Sequence, residues 1–346
     1  MSHFVFILGA GASKHAGAPL MVDFLDQTRK LFAANPSGRY SADIKNVFAA
    51  ISKLQKVHSK SELDIVNLES VFSVLEMADL LSIEPAVPEL LQSMKRLITW
   101  TLDETVLFQV SDGVLSSRGS AYKEFANLVK KLHDKGDSCD IITFNYDLAV
   151  DVALYAVGLS PIYGLMKNGV AERGVNLFKL HGSVNWNRCP KCTEIVTGHF
   201  PNGRIDHSIA EMKWSTMIGY LPNTKPQCCG NEFDPGDSVI VPPIWDKSEY
   251  RASFVEVWKK AAAGLKNAAN IVVCGYSMPA TDGFFRYLYA LGTVSDQLLE
   301  RFWVFDPNLQ VEPNFKNLLG PGARARFEFT PEPFEKAVYR LNRDLI

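Results

Sequence analysis

Six short runs of β-forming residues in this 346-residue chain stop at residues suited to binding or to proton transfer. Phe4–Leu8 runs into Gly9-Ala10-Gly11, Asp140–Phe144 into Asn145-Tyr146-Asp147, and Asn176–Leu180 into His181-Gly182. Ser238–Val241 reaches Pro242-Pro243, Ile271–Cys274 reaches Gly275-Tyr276-Ser277, and Phe302–Phe305 reaches Asp306-Pro307-Asn308. Glycines let a backbone come close to an anion, amides and carboxylates orient a polar ligand, and an imidazole titrates near neutral pH. Each type also has an ordinary structural use. A histidine ending a strand commonly only packs, and Asn or Asp there commonly satisfies turn backbone. The decisive matter is whether the six clusters meet.

The runs mostly lack polar/apolar alternation, as expected of strands covered on both faces, and helical patterns such as Phe254–Lys266 separate several of them. The expected fold is therefore α/β: a Rossmann-like parallel sheet with helices on both faces. In open parallel sheets ligands bind outside the carboxyl ends of the strands, which would gather the six clusters along one edge. Two stretches interrupt the alternation. Residues 35–120 read as a helical insert, with Leu68, Phe72, Leu75 and Ala78 on one helix face and Glu69, Glu76 and Asp79 mostly elsewhere. Residues 185–236, rich in Gly, Pro, Asn and Cys, read as a small zinc-ribbon-like module. Residues 1–34, 121–184 and 237–346 are then left to the sheet domain.

Gly9-Ala10-Gly11-Ala12-Ser13 follows the first strand and opens a helix, an arrangement able to present N–H groups and the Ser13 hydroxyl to a phosphate. It is not a G-x-G-x-x-G fingerprint, because Lys14 stands at the third glycine position. The cysteines are more distinctive. Cys189-Pro190-Lys191-Cys192 reads as a zinc knuckle, and Cys228-Cys229-Gly230 follows it. Four thiolates would close a structural site, leaving no coordination position for catalysis. Neighbouring cysteines reach one ion only where the backbone turns sharply, and His199 or His207 could replace one of them. Cys139 and Cys274 read as buried thiols. Four clustered cysteines out of six fit a reducing cytoplasm better than a disulfide framework.

Composition bounds the partners. With 36 Lys and Arg against 38 Asp and Glu, the net charge of -2 gives no excess of cations for a phosphate backbone, so direct nucleic-acid binding is not expected. The N-terminus lacks a cationic leader, and no run approaches the roughly 18 apolar residues of a membrane span. A cytoplasmic protein is expected.

Taken in order, Gly9–Ser13, Gly17-Ala18-Pro19, Thr143-Phe144-Asn145-Tyr146-Asp147, His181-Gly182, the cysteine module and Gly275-Tyr276-Ser277 resemble the sirtuin family, and more closely its divergent bacterial sirtuin-like branch. The resemblance covers about half of the chain, leaving the helical insert and the C-terminus unmatched. It implies NAD as ligand. Gly9, Ala10, Gly11 and Ser13 would hold the pyrophosphate, with Gly275 and Ser277 on the phosphate side. Asp306 or Asn308 would meet the adenine ribose, Asn145 the nicotinamide ribose or a water, and Asp147 the carboxamide. His181 would be the general base. The chemistry agrees. Cleaving the ribose–nicotinamide bond gives an oxocarbenium-like centre and a neutral leaving group, so the site needs a grip on the dinucleotide and a base for the incoming oxygen.

Three departures from the deacylases of that family choose between activities. Phe144 stands where they carry a glutamine; Ala18–Leu25 inserts residues and lacks their arginine; and Pro242-Pro243 cannot donate backbone bonds to an added peptide strand. A site that keeps the dinucleotide machinery but loses the peptide cleft admits water. The expectation is an NAD hydrolase releasing nicotinamide and ADP-ribose. The resemblance places it among NAD-depleting effectors of bacterial anti-phage defence, controlled by homo-oligomer assembly or by a partner ATPase, for example of HerA type. The alternatives are an NAD-dependent protein deacylase or ADP-ribosyltransferase, and a non-catalytic NAD or ADP-ribose sensor.

Overall fold

The computed structural model describes residues 1–55, 67–82, 87–111, 114–165, 174–198, 210–214, 227–232, 237–241, 251–279 and 282–346. Seven strands form one sheet: β1 (His3–Leu8), β2 (Ser138–Thr143), β3 (Ser160–Ile162), β4 (Gly174–Lys179), β5 (Asn270–Cys274), β6 (Arg301–Phe305) and β7 (Phe327–Thr330). Their spatial order is β7-β6-β5-β1-β2-β4-β3, and every pairing is parallel. The expected α/β class and parallel sheet are thus observed. β1 and β5 are buried along almost their whole length, as strands covered on both faces must be. Helices Ala121–Asp134, Ala149–Ala156 and Phe334–Leu345 pack together as one covering layer, and helices Arg251–Asn267 and Gly283–Gly292 pack together as another.

The register brings the chemistry to one level. Leu8 pairs with Thr143 on one side and with Cys274 on the other; Thr143 pairs with Lys179, and Cys274 with Phe305. The residues that follow these strand ends therefore emerge side by side along one edge. The chain winds outward from β1 through β2 to β3 and β4, then returns to the other side of β1 with β5, so strand order reverses between β1 and β5. Such a reversal splays the loops apart and opens a crevice.

Two strand expectations change. Ser238–Val241 is not a sheet strand. It lies across the turn after β4, where Ile240 bridges Gly182, Val241 donates to the His181 carbonyl and Ser183 donates to the Val239 carbonyl. Its apolar side chains are covered at the rim of the sheet rather than within it. Conversely, β3 and β7 join the sheet although neither stands out as an apolar run. Both are short, and β7 is a partly exposed edge strand.

Within 35–120, helices Ser41–Gln55 and Leu68–Leu80 both pack on helix Val87–Thr105. Leu68, Phe72 and Leu75 are buried there, and Ala78 is partly so. Glu69, from the helix face expected to be polar, is buried too. The end of the stretch is not helical. Phe108–Ser111 and Val114–Ser117 form a hairpin, and Glu211–Met212 adds to it as a third antiparallel strand. That strand is two residues long, too short to carry a periodicity.

Candidate active site

The loops after β1, β2, β4, β5 and β6 line one cleft of about 590 Å³. Its walls include Ala10, Gly11, Lys14, Asn145, Asp147, His181, Gly275, Ser277, Asp306 and Asn308. The expected polar clusters, apart from Pro242-Pro243, which lies outside the described residues, thus reach one edge. The volume is that of a small-molecule or cofactor site.

The glycine turns after β1 and β5 interlock. Gly9 donates to the Cys274 carbonyl, and Gly11 donates to the Gly275 carbonyl at 2.9 Å. A Cβ on Gly9 would lie 2.5 Å from the Gly275 oxygen, so the loops approach at a distance no side chain permits. Gly275 is at φ +62°, and a Cβ there would lie 2.4 Å from the Ala12 nitrogen. Gly9 and Ser13 do not line the cleft. Ser13 is fully buried, hydrogen-bonded to the Tyr122 hydroxyl at 2.8 Å and accepting from Asn145 Nδ2 at 2.9 Å.

Asn145 ties these turns together: its Nδ2 also donates to the Gly9 carbonyl at 2.9 Å. Asp147 accepts the Ala149 N–H at 2.9 Å. Burial pushes its carboxyl above the ordinary range, against the opposing charge of Lys179, the Ala149 N–H and the Ser13 hydroxyl. Lys179, fully buried at the end of β4, pairs with Asp151 at 3.0 Å and donates to the Asp147 carbonyl at 2.6 Å. Asp151 also accepts from the Tyr163 hydroxyl at 2.6 Å. The buried ion pair therefore braces the loop that carries Asn145 and Asp147.

His181 enters from the β4 side. Gly182 turns the chain directly after it, at φ +84° against the Val239 carbonyl. The His181 ring lies edge-on to Phe144, with centroids 5.2 Å apart, and Phe144 stacks on Tyr276 at 4.0 Å. The residue that replaces a polar one in the resembled deacylases thus packs the imidazole. His181 Nε2 lies 3.0 Å from Asp282 Oδ1, and Asp282 Oδ2 accepts from the Tyr276 hydroxyl at 3.2 Å. Asp282, which had no part in the sequence expectation, stands at the N-cap position of helix Gly283–Gly292. It makes no side-chain cap bond there and turns its carboxylate to His181 instead.

At the far end of the cleft Asp306 accepts the Asn308 N–H at 2.8 Å, and Asn308 accepts the Gln310 N–H at 3.0 Å. Burial raises the Asp306 carboxyl. Ser277 is exposed, and its carbonyl accepts from Asn314. Lys14, which breaks the glycine fingerprint, lines the cleft as an exposed cation.

The cysteines form a separate centre. The hairpin of Trp186–Arg188 with Ile195–Thr197 carries Cys189 and Cys192, and Gln227–Cys228 pairs with Asn231–Glu232. The four Sγ atoms of Cys189, Cys192, Cys228 and Cys229 lie within 4.8 Å of one another. Cys192 and Cys228 are 3.5 Å apart, and Cys228 and Cys229 3.9 Å. Those separations match the edge of about 3.8 Å that a tetrahedron of thiolates with Zn–S bonds of about 2.3 Å requires. The sharp turn needed for neighbouring cysteines is present: Cys229 is at φ +54° and Gly230 at +79°. A hydrogen bond with the Glu194 backbone and the neighbouring thiols lower the Cys192 thiol to about 6. The donor set fits zinc. His199 and His207 lie outside the described residues.

Among the described residues no helix is long and apolar enough to cross a membrane. No protein-family model matches the chain, and no curated protein does. Among solved structures it is similar to a Sir2–p53 peptide–NAD+ complex, with 14% identity, TM-score 0.42, and coverage of 99% of this chain and 92% of that one. It is likewise similar to an ADP-ribose complex of a Sir2 homologue, with 14% identity, TM-score 0.40, and coverage of 98% and 90% respectively.

Proposed function

We propose that the chain is an NAD hydrolase that cleaves the nicotinamide–ribose bond to give nicotinamide and ADP-ribose. The observation that carries this reading is the meeting of Asn145, Asp147 and His181 at one end of the cleft that opens at the sheet's reversal point. From β6 to β4 is four strand steps, about 19 Å at roughly 4.8 Å each, an elongated shape suited to a dinucleotide. Asp306 and Asn308 take the adenosine end. Ala10, Gly11, Lys14 and Ser277 flank the pyrophosphate, with Lys14 supplying positive charge. Gly9, Gly275 and Ser13 hold those loops together. Asn145 and Asp147 orient the nicotinamide ribose and carboxamide, and His181 takes a proton from the incoming water. Hydrolysis is favoured over deacylation by Phe144, whose apolar ring replaces the polar contact that a peptide-dependent enzyme would use.

On the same reading the four cysteines hold a structural zinc ion. The biological role that the sequence resemblance supports is NAD depletion in anti-phage defence, held in check by homo-oligomer assembly or a partner ATPase. Incubation with NAD alone, followed by chromatography of products, tests the activity. ADP-ribose and nicotinamide are expected without any peptide, and with His181→Ala both fall to background. Turnover only when an acyl-peptide is supplied would overturn the hydrolase reading in favour of a deacylase.

A further inference from the structure

Asp282 stands out among the buried groups to which the proposed reaction gives no role. It is 3% exposed, lies on the cleft wall, and offers one carboxylate oxygen to His181 Nε2 and the other to the Tyr276 hydroxyl. It comes from a different loop than His181, at the start of helix Gly283–Gly292, yet leaves that helix uncapped by its side chain. A carboxylate has no proton to give, so the proton between the two residues belongs to Nε2. In the neutral ring that leaves the lone pair on Nδ1.

We infer that Asp282 is a positioning residue for His181, fixing the tautomer with its lone pair on Nδ1 and stabilising the imidazolium that forms when Nδ1 accepts a proton. The inference rests on the hydrolase reading for its place in the reaction. There the C1′–N1 bond of NAD breaks and nicotinamide departs with the electron pair. The oxygen of water bonds to C1′, its proton passes to Nδ1 and later to solvent, and Asp282 offsets the positive charge meanwhile. Phe144, edge-on to the ring, and the Tyr276 hydroxyl on the second carboxylate oxygen restrict rotation of the pair. Asparagine would keep the geometry without the charge: its oxygen can accept from Nε2 while its amide nitrogen donates to the Tyr276 hydroxyl, so it holds the ring but cannot offset the imidazolium.

Histidine-selective ¹⁵N NMR reads the ring without turnover, and wild-type protein at neutral pH is expected to show His181 protonated at Nε2. Asp282→Ala is expected to lose that preference and to lower kcat for NAD by about 100-fold, with KM within about threefold of wild type, whereas Asp282→Asn is expected to keep the tautomer and lose kcat. A wild-type spectrum with the proton on Nδ1 would overturn the inference whatever the variants do, as would an Asp282→Ala protein with unchanged kcat or tautomer. Should wild-type protein hold the Nε2 proton yet release no ADP-ribose from NAD, the hydrolase reading falls and the assignment of Asp282 to His181 stands.

Discussion

Asn145 donates from Nδ2 to the Gly9 carbonyl at 2.9 Å, so a side chain at the end of β2 closes the turn at the end of β1. The same nitrogen reaches Ser13, whose hydroxyl bonds Tyr122 in helix Ala121–Asp134. The residue proposed to touch the nicotinamide ribose thus also sets the shape of the turn proposed to hold the pyrophosphate.

Asn145→Ala therefore leaves a buried carbonyl and a buried hydroxyl without this donor. The expected cost is about 0.5–1.5 kcal/mol in unfolding free energy for each bond lost, because Gly9 still accepts the Ala12 N–H and Ser13 still bonds Tyr122. NAD hydrolysis is expected to fall by about 100-fold or more, since misplaced reacting groups are expensive. Denaturant unfolding and product chromatography on the same preparation measure both. A destabilised protein with wild-type kcat would make Asn145 a brace only.

Lys179 supports the opposite side of that loop. Lys179→Met removes one partner of a fully buried ion pair and strands Asp151, which among the described residues retains the Tyr163 hydroxyl as a donor. Breaking such a pair costs about 3–5 kcal/mol. The double variant Lys179→Met with Asp151→Leu is expected to recover much of the loss, because no lone charge remains buried. Equal destabilisation of single and double variants in urea would contradict this account.

These residues show how far the sequence could be read. Strand ends were legible because β1, β2, β4, β5 and β6 are apolar runs halted by glycine or polar residues. Parallel pairing then forced the halts to one edge. Ser238–Val241 has the same composition yet serves as a rim segment, since apolar composition marks burial and not sheet membership. Lys179 stands in the sequence as a lone charge inside an apolar run, which signals a buried partner without naming it. Asp282 was not legible. Its position before a helix predicts a cap, and only the fold turns its carboxylate toward His181, 101 positions away in sequence.

The buried carboxyl of Asp147 sets a pH dependence. Burial raises its folded pKa above the unfolded value, so between those two values the folded state holds more protons. Unfolding free energy should then decrease as pH rises through that window, from the ordinary carboxylate range up to the raised native value. Asp147→Asn removes the titration and flattens that part of the profile. Urea unfolding across pH for both proteins checks it, and identical slopes would mean that the carboxyl is not held above its ordinary range.

The four thiols should carry zinc rather than disulfides. Cys189, Cys192, Cys228 and Cys229 lie on two hairpins whose mutual packing is a small apolar cluster of Cys189, Val196 and Cys228, with Cys192 against it. Among the described residues that cluster buries little surface, and a zinc ion bound in a closed tetrathiolate site would add to the stability of the hairpins. Protein purified without chelators is expected to contain stoichiometric zinc. Cys192→Ser should lose most of it and melt several degrees lower, with faster hydrogen exchange concentrated in Trp186–Arg188 and Ile195–Thr197. Zinc-free wild-type protein that melts at the same temperature as zinc-loaded wild type would show that the hairpins stand without a metal.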